Sequence, residues 1–296
     1  MPSKKRSYIN YYFHKYFILP IKIFRTSIVD TIRHDGIEHA GYLAFLLLLS
    51  FFPFLIFVFS ILGIFGTSEV GVDVIKVILA STPKEVAEGL KPYIDEIISG
   101  PPHSLLTIAI IGVIWTASSS VEGCRTILNR AYRIAFPPPY LLRRLFSIVE
   151  FFVITFVIIT GIIVFVILPN FLEQTNSELL VKLHFDYDSY HLRHITFLTL
   201  LTGATSALYY ALPNAKQKIT QTLPGSIIAV ALWIIVEHIF SIYLENFHQV
   251  NFVYGSLAGI IISLLFFYFI SLIFIFGAEF NYHFYRTYRI FLKERN

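Results

Sequence analysis

FVYGSLAGIIISLLFFYFISLIFIFGAEF, residues 252–280, carries a single charged residue, Glu279, one position from its end. As a helix it would extend roughly 43 Å, longer than the roughly 30 Å of hydrocarbon in a bilayer. Five more apolar stretches, residues 39–66, 104–121, 145–169, 194–213 and 223–245, resemble it in composition. Together they predict an all-α polytopic membrane protein with six transmembrane helices. The chain has 296 residues, 56% of them hydrophobic, so six spans leave little for a soluble domain and exclude a separate cytosolic enzyme.

The loops alternate in charge, and lysine and arginine near span ends are retained in the cytoplasm. The N-terminal arm carries Lys4, Lys5, Arg6, Lys15, Lys22, Arg25 and Arg33, and the second connection carries Arg125, Arg130, Arg133, Arg143 and Arg144. Lys216 and Lys218 mark the fourth connection, and Arg286, Arg289, Lys293 and Arg295 the tail. The first and third connections are dominated by acids, among them Glu69, Asp73, Glu85, Glu88, Asp186 and Asp188. Both termini are therefore expected in the cytoplasm, with the 67–103 and 170–193 connections outside. The net charge of +4 averages basic inner with acidic outer segments and is no nucleic-acid signature. Basic inner loops suit anionic lipid headgroups, each base adding on the order of 1 kcal/mol near a charged leaflet. The one cysteine, Cys124, excludes an internal disulfide. Residues 1–20 alternate bases with aromatics, so no removable signal peptide is expected.

Three domains follow: a basic, amphipathic arm (1–38), a membrane domain (39–281) and a basic tail (282–296). Residues 8–34 interleave Tyr11, Phe13, Phe17, Ile21 and Phe24 with Lys15, Lys22 and Arg25, which predicts an interfacial helix on the inner surface, broken at Pro20. Outside, Thr82-Pro83-Lys84-Glu85 reads as a capping box opening a short outer helix.

Polar residues within the spans fall on stripes. Trp115 and Ser119 share one face of the second span, Thr199, Gly203 and Ser206 one face of the fourth, and Trp233 and Glu237 one face of the fifth. Packing and the lining of a cavity are both open for these stripes. Gly255 and Gly259 form a small-residue face suited to helix packing. Pro53, near the middle of the first span, predicts a kink. An unpaired acid deep in a span costs about 2.5–3.5 kcal/mol, which singles out Glu150, Glu237 and Glu279. Glu279 is expected to pair with a base of the second span or its following loop, with Arg125 and Arg130 as the nearest candidates, as a staple or gate.

His184, Asp186, His191 and His194 supply metal-ligand types in the third connection, but their spacing matches no motif and a solvated loop is the expectation. The cytoplasmic segments offer His14, His34, His39 and His283, scattered along the chain, so no metal-dependent nuclease centre is expected. No nucleotide-binding or Ser/His/Asp signature is found, and neither a cofactor nor enzymatic activity is expected.

Several segments together carry a resemblance: Tyr42–Leu55 (YLAFLLLLSFFPFL), Trp115-Thr116-Ala117-Ser118-Ser119 leading through Gly123 to Asn129-Arg130-Ala131-Tyr132, Leu212-Pro213-Asn214 with Lys216, Pro224-Gly225 before Trp233, and Tyr254-Gly255-Ser256-Leu257-Ala258-Gly259 ending in Gly277-Ala278-Glu279-Phe280-Asn281. In this order the chain resembles the YihY/BrkB family, bacterial inner-membrane proteins once labelled ribonuclease BN. The resemblance implies a role in envelope integrity and the movement of lipids or lipid-linked precursors. The expectation is an inner-membrane protein that transports or flips an anionic lipid or amphipathic solute. The competing reading is a scaffold whose stripes are all packing. Membrane lipids are the expected partners, nucleic acid is not, and a homo-oligomer is left open.

Overall fold

The computed structural model describes residues 19–64, 104–162, 190–245 and 257–293. Among them there is no strand. Seven α-helices follow in order: α1 (Leu19–Arg33), α2 (Gly36–Ile64), α3 (Ser104–Ala131), α4 (Tyr140–Ile162), α5 (Tyr190–Ala211), α6 (Leu223–Glu245) and α7 (Leu257–Lys293). Within them Leu223–Leu244 and Gly259–Thr287 are long and apolar enough to cross a bilayer, and Gly36–Phe51 and Ile195–Ala211 are shorter apolar helices. The outer helix expected near Thr82, the residues before Leu19, Gly255, His184 and Asp186 lie outside the described residues.

The described residues fall into two compact units, one drawn from Met1–Phe45, Gly123–Pro137 and His191–Asn296, the other from Leu46–Glu122 and Pro138–Tyr190. In the first unit, α1 docks against α7. Pro20 lies within α1, among the first of its described residues. Leu19, Ile23, Ser27 and Thr31 recur every four residues and are buried. Leu19 and Ile23 pack with Phe276 and Phe280 of α7. Ser27 and Thr31 remain compatible with this apolar face because each hydroxyl donates to the carbonyl four residues back, at 2.8 Å. The opposite face leaves Ile21, Phe24, Ile28 and Ile32 exposed.

Helices α6 and α7 cross where both are glycine. A Cβ at Gly225 would strike the Gly277 carbonyl oxygen, and one at Gly277 would strike the Tyr209 hydroxyl. This close approach lets the Asn281 side chain accept the Gly225 N–H at 2.7 Å. That N–H belongs to the first turn of α6 and has no partner in its own helix, so α7 caps α6. Among the described residues nothing lies within 4 Å of a Cβ built at Gly259, while close contact is found at Gly225 and Gly277.

In the second unit, Phe57, Ala117 and Phe151 form a small core, with the Phe57 and Phe151 rings 5.4 Å apart. Ser120 Oγ donates to the Leu46 carbonyl at 2.8 Å. Glu122 accepts from Ser147 at 2.8 Å and meets Arg143 at 3.2 Å, so this acid is paired within its unit. Pro53 lies inside α2, which continues as helix beyond it.

Candidate functional site

The site is built in the first unit from three helix ends. Helix α1 stops at Arg33, and Asp35 adopts a left-handed backbone, φ 58°, that Asp tolerates better than most residues. Gly36 must follow, because a Cβ there would lie 2.5 Å from the Thr31 carbonyl oxygen. Asp35 then accepts the His39 N–H at 2.9 Å and starts α2. The turn leaves His34 and His39 beside a small cavity lined also by Thr31, Arg130 and Glu279, with room for about one water.

Helix α3 ends in a Schellman turn: Ile134 N–H donates to Asn129 O at 2.8 Å and Arg133 N–H to Arg130 O at 3.0 Å. The left-handed residue, normally Gly, is Arg133 at φ 59°, at a backbone cost of roughly 1–2 kcal/mol. Its side chain accounts for the choice. The guanidinium donates to Ala131 O at 2.6 Å and Arg130 O at 3.1 Å, placing positive charge on the helix C-terminus. It also forks onto both carboxylate oxygens of Glu279, at 2.8 Å each. Asp30 stands 3.5 Å away, and the guanidinium lies 4.8 Å from the centre of the Tyr282 ring. Burial opposes the Arg133 charge, but the hydrogen bonds and charge of Glu279, together with Asp30, outweigh it and hold its pKa above the ordinary value.

Arg133 Nη2 lies 3.1 Å from His34 Nδ1. A guanidinium only donates, so Nδ1 accepts and the His34 proton resides on Nε2. The 3.6 Å approach of Nδ1 to Glu279 is then not an ion pair. His283, one turn after Glu279, places Nε2 2.9 Å from Asp30 Oδ2 and 3.9 Å from Glu279 Oε2.

Around this ion cluster runs a neutral network. Asn129 and Asn214 bond reciprocally, Asn214 N–H to Asn129 Oδ1 at 2.8 Å and Asn129 Nδ2 to Asn214 Oδ1 at 3.1 Å. Asn281 Nδ2 donates to the Tyr132 hydroxyl at 3.3 Å, and burial pushes that phenol's pKa up, keeping it neutral. Tyr209 donates to Phe274 O at 2.7 Å.

The residues singled out from sequence are placed as follows. Glu279, 1% exposed, pairs with Arg133 rather than Arg125 or Arg130. Arg125 is buried and donates to Leu212 O at 3.0 Å. Arg130 forms an exposed pair with Asp35 at 2.9 Å. The reason is angular: a helix points Arg125, Arg130 and its own end in different directions, and only the left-handed turn returns residue 133 toward α7. Ser206 is buried against Thr222 at 2.7 Å. Thr199 is exposed and back-bonded to Ile195 O at 2.7 Å. The Trp233 indole donates to Ile270 O at 3.1 Å, and Glu237 is exposed. Trp115 and Ser119 belong to the second unit, where Ser119 bonds Trp115 O at 2.7 Å and Arg144 stacks 4.2 Å over the Trp115 ring. His191 and His194 fall in α5.

The histidines that look scattered in the sequence are not scattered in space. His34, His39 and His283 converge with Asp30 and Glu279, while His14 lies outside the described residues. Sequence reasoning does not single out Asp30 or His283 as a pair. The signal that could have found them is the four-residue spacing of Asp30 with His34 and of Glu279 with His283, which sets each pair on one helix face.

The segments that meet here, Asn129–Tyr132, Leu212–Asn214, Gly225 and Gly277–Asn281, are those that carry the family resemblance. Residues 28–294 match the family described as virulence factor BrkB. The chain belongs to the virulence factor BrkB family. It is 29% identical over 257 residues to the ribonuclease-like protein YfkH of Bacillus subtilis, covering 84% of this chain and 90% of that protein. It is 26% identical over 259 residues to a UPF0761 membrane protein of Alteromonas mediterranea, covering 84% of this chain and 83% of that one. A UPF0761 membrane protein of Pseudoalteromonas atlantica is 24% identical over 265 residues, covering 87% and 84%. No solved structure matches the chain. With its apolar helices, this BrkB-family chain is a membrane protein.

Proposed function

We propose that this BrkB-family chain is a six-span protein of the bacterial inner membrane, with both termini cytoplasmic, that transports or flips an anionic lipid or amphipathic small solute. It catalyses no covalent reaction, and its partners are anionic lipids. The observation that carries this reading is Glu237. It is exposed on α6, a predominantly apolar helix, beside the exposed His238, and among the described residues its carboxylate has no ion pair or hydrogen bond. A carboxylate facing hydrocarbon costs about 2.5–3.5 kcal/mol, so its position calls for water, substrate or a partner. Exposed bases of the inner segments, Lys22, Arg25, Lys216 and Lys218, supply a landing for headgroup phosphate. The name of the Bacillus subtilis relative suggests RNA cleavage. The histidine and carboxylate cluster is too enclosed for that, with the Glu279 and His283 side chains 2% and 10% exposed and no room for an RNA backbone.

A scaffold is the second reading, supported by hydroxyls that bond within their own helices, such as Thr199 to Ile195 and Ser119 to Trp115. Cysteine accessibility and lipid movement separate the two. In a Cys124→Ser background, cysteines at Ser119, Thr199 and Glu237 are expected to react with small membrane-impermeant thiol reagents. Protein in liposomes is expected to move labelled anionic lipid faster than a Trp233→Ala, Glu237→Ala variant does. Three unreactive positions and lipid movement equal to empty liposomes would leave the scaffold. The topology has its own check. Cysteines in the 67–103 and 170–193 connections are expected to label from outside the cell and those at either terminus only after permeabilisation. Labelling of either connection only from the cytoplasm contradicts six spans with both termini inside.

A further inference from the structure

The geometry points to a divalent transition-metal site formed by Asp30 of α1 and Glu279 and His283 of α7, which takes an ion such as Zn²⁺. One ligand atom from each residue lies within 4.8 Å of the other two. Four-coordinate zinc with ligands at about 2.0–2.2 Å holds neighbouring donors about 3.3 Å apart. The His283 Nε2 separations of 2.9 Å to Asp30 Oδ2 and 3.9 Å to Glu279 Oε2 bracket that spacing.

The second, independent observation is the imidazole itself. His283 Nε2 is buried, its side chain 10% exposed, and it makes no hydrogen bond among the described residues despite the 2.9 Å contact with Asp30. A proton shared between the two would require the ring nitrogen to aim at the oxygen. Donors of one metal instead lie side by side, each aimed at the ion and not at one another. A buried imidazole nitrogen that lies against two carboxylates yet makes no aligned hydrogen bond is incompletely satisfied, and coordination would satisfy it.

Asp30 and Glu279 bring two carboxylates to the cluster and Arg133 one guanidinium. Arg133 uses one lone pair on each Glu279 oxygen, and a carboxylate offers about four, so the fork and a metal are compatible. One imidazole with two carboxylates suits a borderline ion such as Zn²⁺ over Ca²⁺, which prefers six to eight oxygens. The ion would tie α1 to α7 at the helix end that also carries the Arg133 turn.

The full chain, purified without a histidine tag and stripped by chelator, tests this by titration with Zn²⁺ against a competing zinc indicator. The expected result is one ion per chain, with affinity reduced at least tenfold by His283→Gln and by Asp30→Asn. A His184→Ala, His191→Ala, His194→Ala variant is expected to bind as the parent does. Asp30→Asn, at the more exposed ligand, carries the test if His283→Gln does not fold. No stoichiometric binding, as for a site that takes only a proton, overturns the proposal. So does binding unchanged by Asp30→Asn, or binding lost only in the triple variant. Lipid movement is not read in this experiment, so its outcome is independent of the transport reading.

Discussion

Arg133→Ala is expected to destabilise the protein by about 3–5 kcal/mol, and Glu279→Ala by an amount near or below the low end of that range. The asymmetry follows from what each change leaves behind. Without Arg133, the Glu279 carboxylate, 1% exposed in the intact fold, loses its fork, and among the described residues only His34 at 3.6 Å and His283 at 3.9 Å approach it as ion-pair partners. Without Glu279, Arg133 keeps Ala131 O at 2.6 Å, Arg130 O at 3.1 Å and Asp30 at 3.5 Å. The double variant should therefore lose clearly less than the sum, since neither orphaned charge remains. Arg133→Gly refines the test. It removes the same side chain but relieves the left-handed backbone, so it should be about 1 kcal/mol less damaging than Arg133→Ala. Denaturant unfolding in detergent, followed by helical circular dichroism, measures all four. Additive single-variant losses would show that the fork contributes little. Equal effects of Ala and Gly would show that the turn carries no strain.

The helical class was readable because apolar stretches such as 252–280 need only length and composition, and every peptide group must be bonded within its own segment in hydrocarbon. The cluster at the helix ends was much harder to see. Glu279 stood out as a charge beside an apolar run, and a pairing arginine near the end of α3 was a reasonable inference. Which arginine depended on a Schellman turn closed by a non-glycine residue, and Arg-Ile-Ala after the helix contains no glycine to announce one. Arg133 and Glu279 are 146 residues apart, a separation at which spacing carries no information. The histidines misled for the same reason: His34 and His283 come from opposite ends of the chain and meet only because α1 docks on α7. The block Gly277-Ala278-Glu279-Phe280-Asn281 carried a resemblance without a mechanism. Its residues now divide the work of one junction. Gly277 admits α6, buried Ala278 adds no bulk, and Glu279 receives Arg133, while Phe280 packs on α1 and Asn281 caps α6.

Gly225→Ala and Gly277→Ala are expected to be among the most damaging single-methyl additions in the first unit, while Gly259→Ala is expected to be neutral or stabilising. The three are chemically identical changes in helices, and helix propensity alone would favour Ala by about 0.8–1.0 kcal/mol at each. Contact geometry reverses the sign at two of them. At Gly225 the new methyl meets the Gly277 carbonyl oxygen and lies 2.6 Å from Asn281 Cγ, so it presses on backbone and on the group that caps α6. At Gly277 it meets the Tyr209 hydroxyl, whose hydrogen bond to Phe274 O fixes it in place, and sits 3.1 Å from Ala229 Cβ. Neither obstacle is the free end of a flexible chain, so α6 and α7 must separate. Overpacking of this kind costs about 1–3 kcal/mol or more. It should also break the Gly225 to Asn281 cap and with it the Tyr132 contact. Among the described residues nothing meets a Cβ at Gly259, which leaves only the propensity gain. Thermal unfolding of the three purified variants measures the difference. Equal tolerance at all three positions would place the α6 and α7 backbones farther apart than a glycine-to-glycine crossing allows, and damage confined to Gly259 would return helix packing to the Gly255 and Gly259 face.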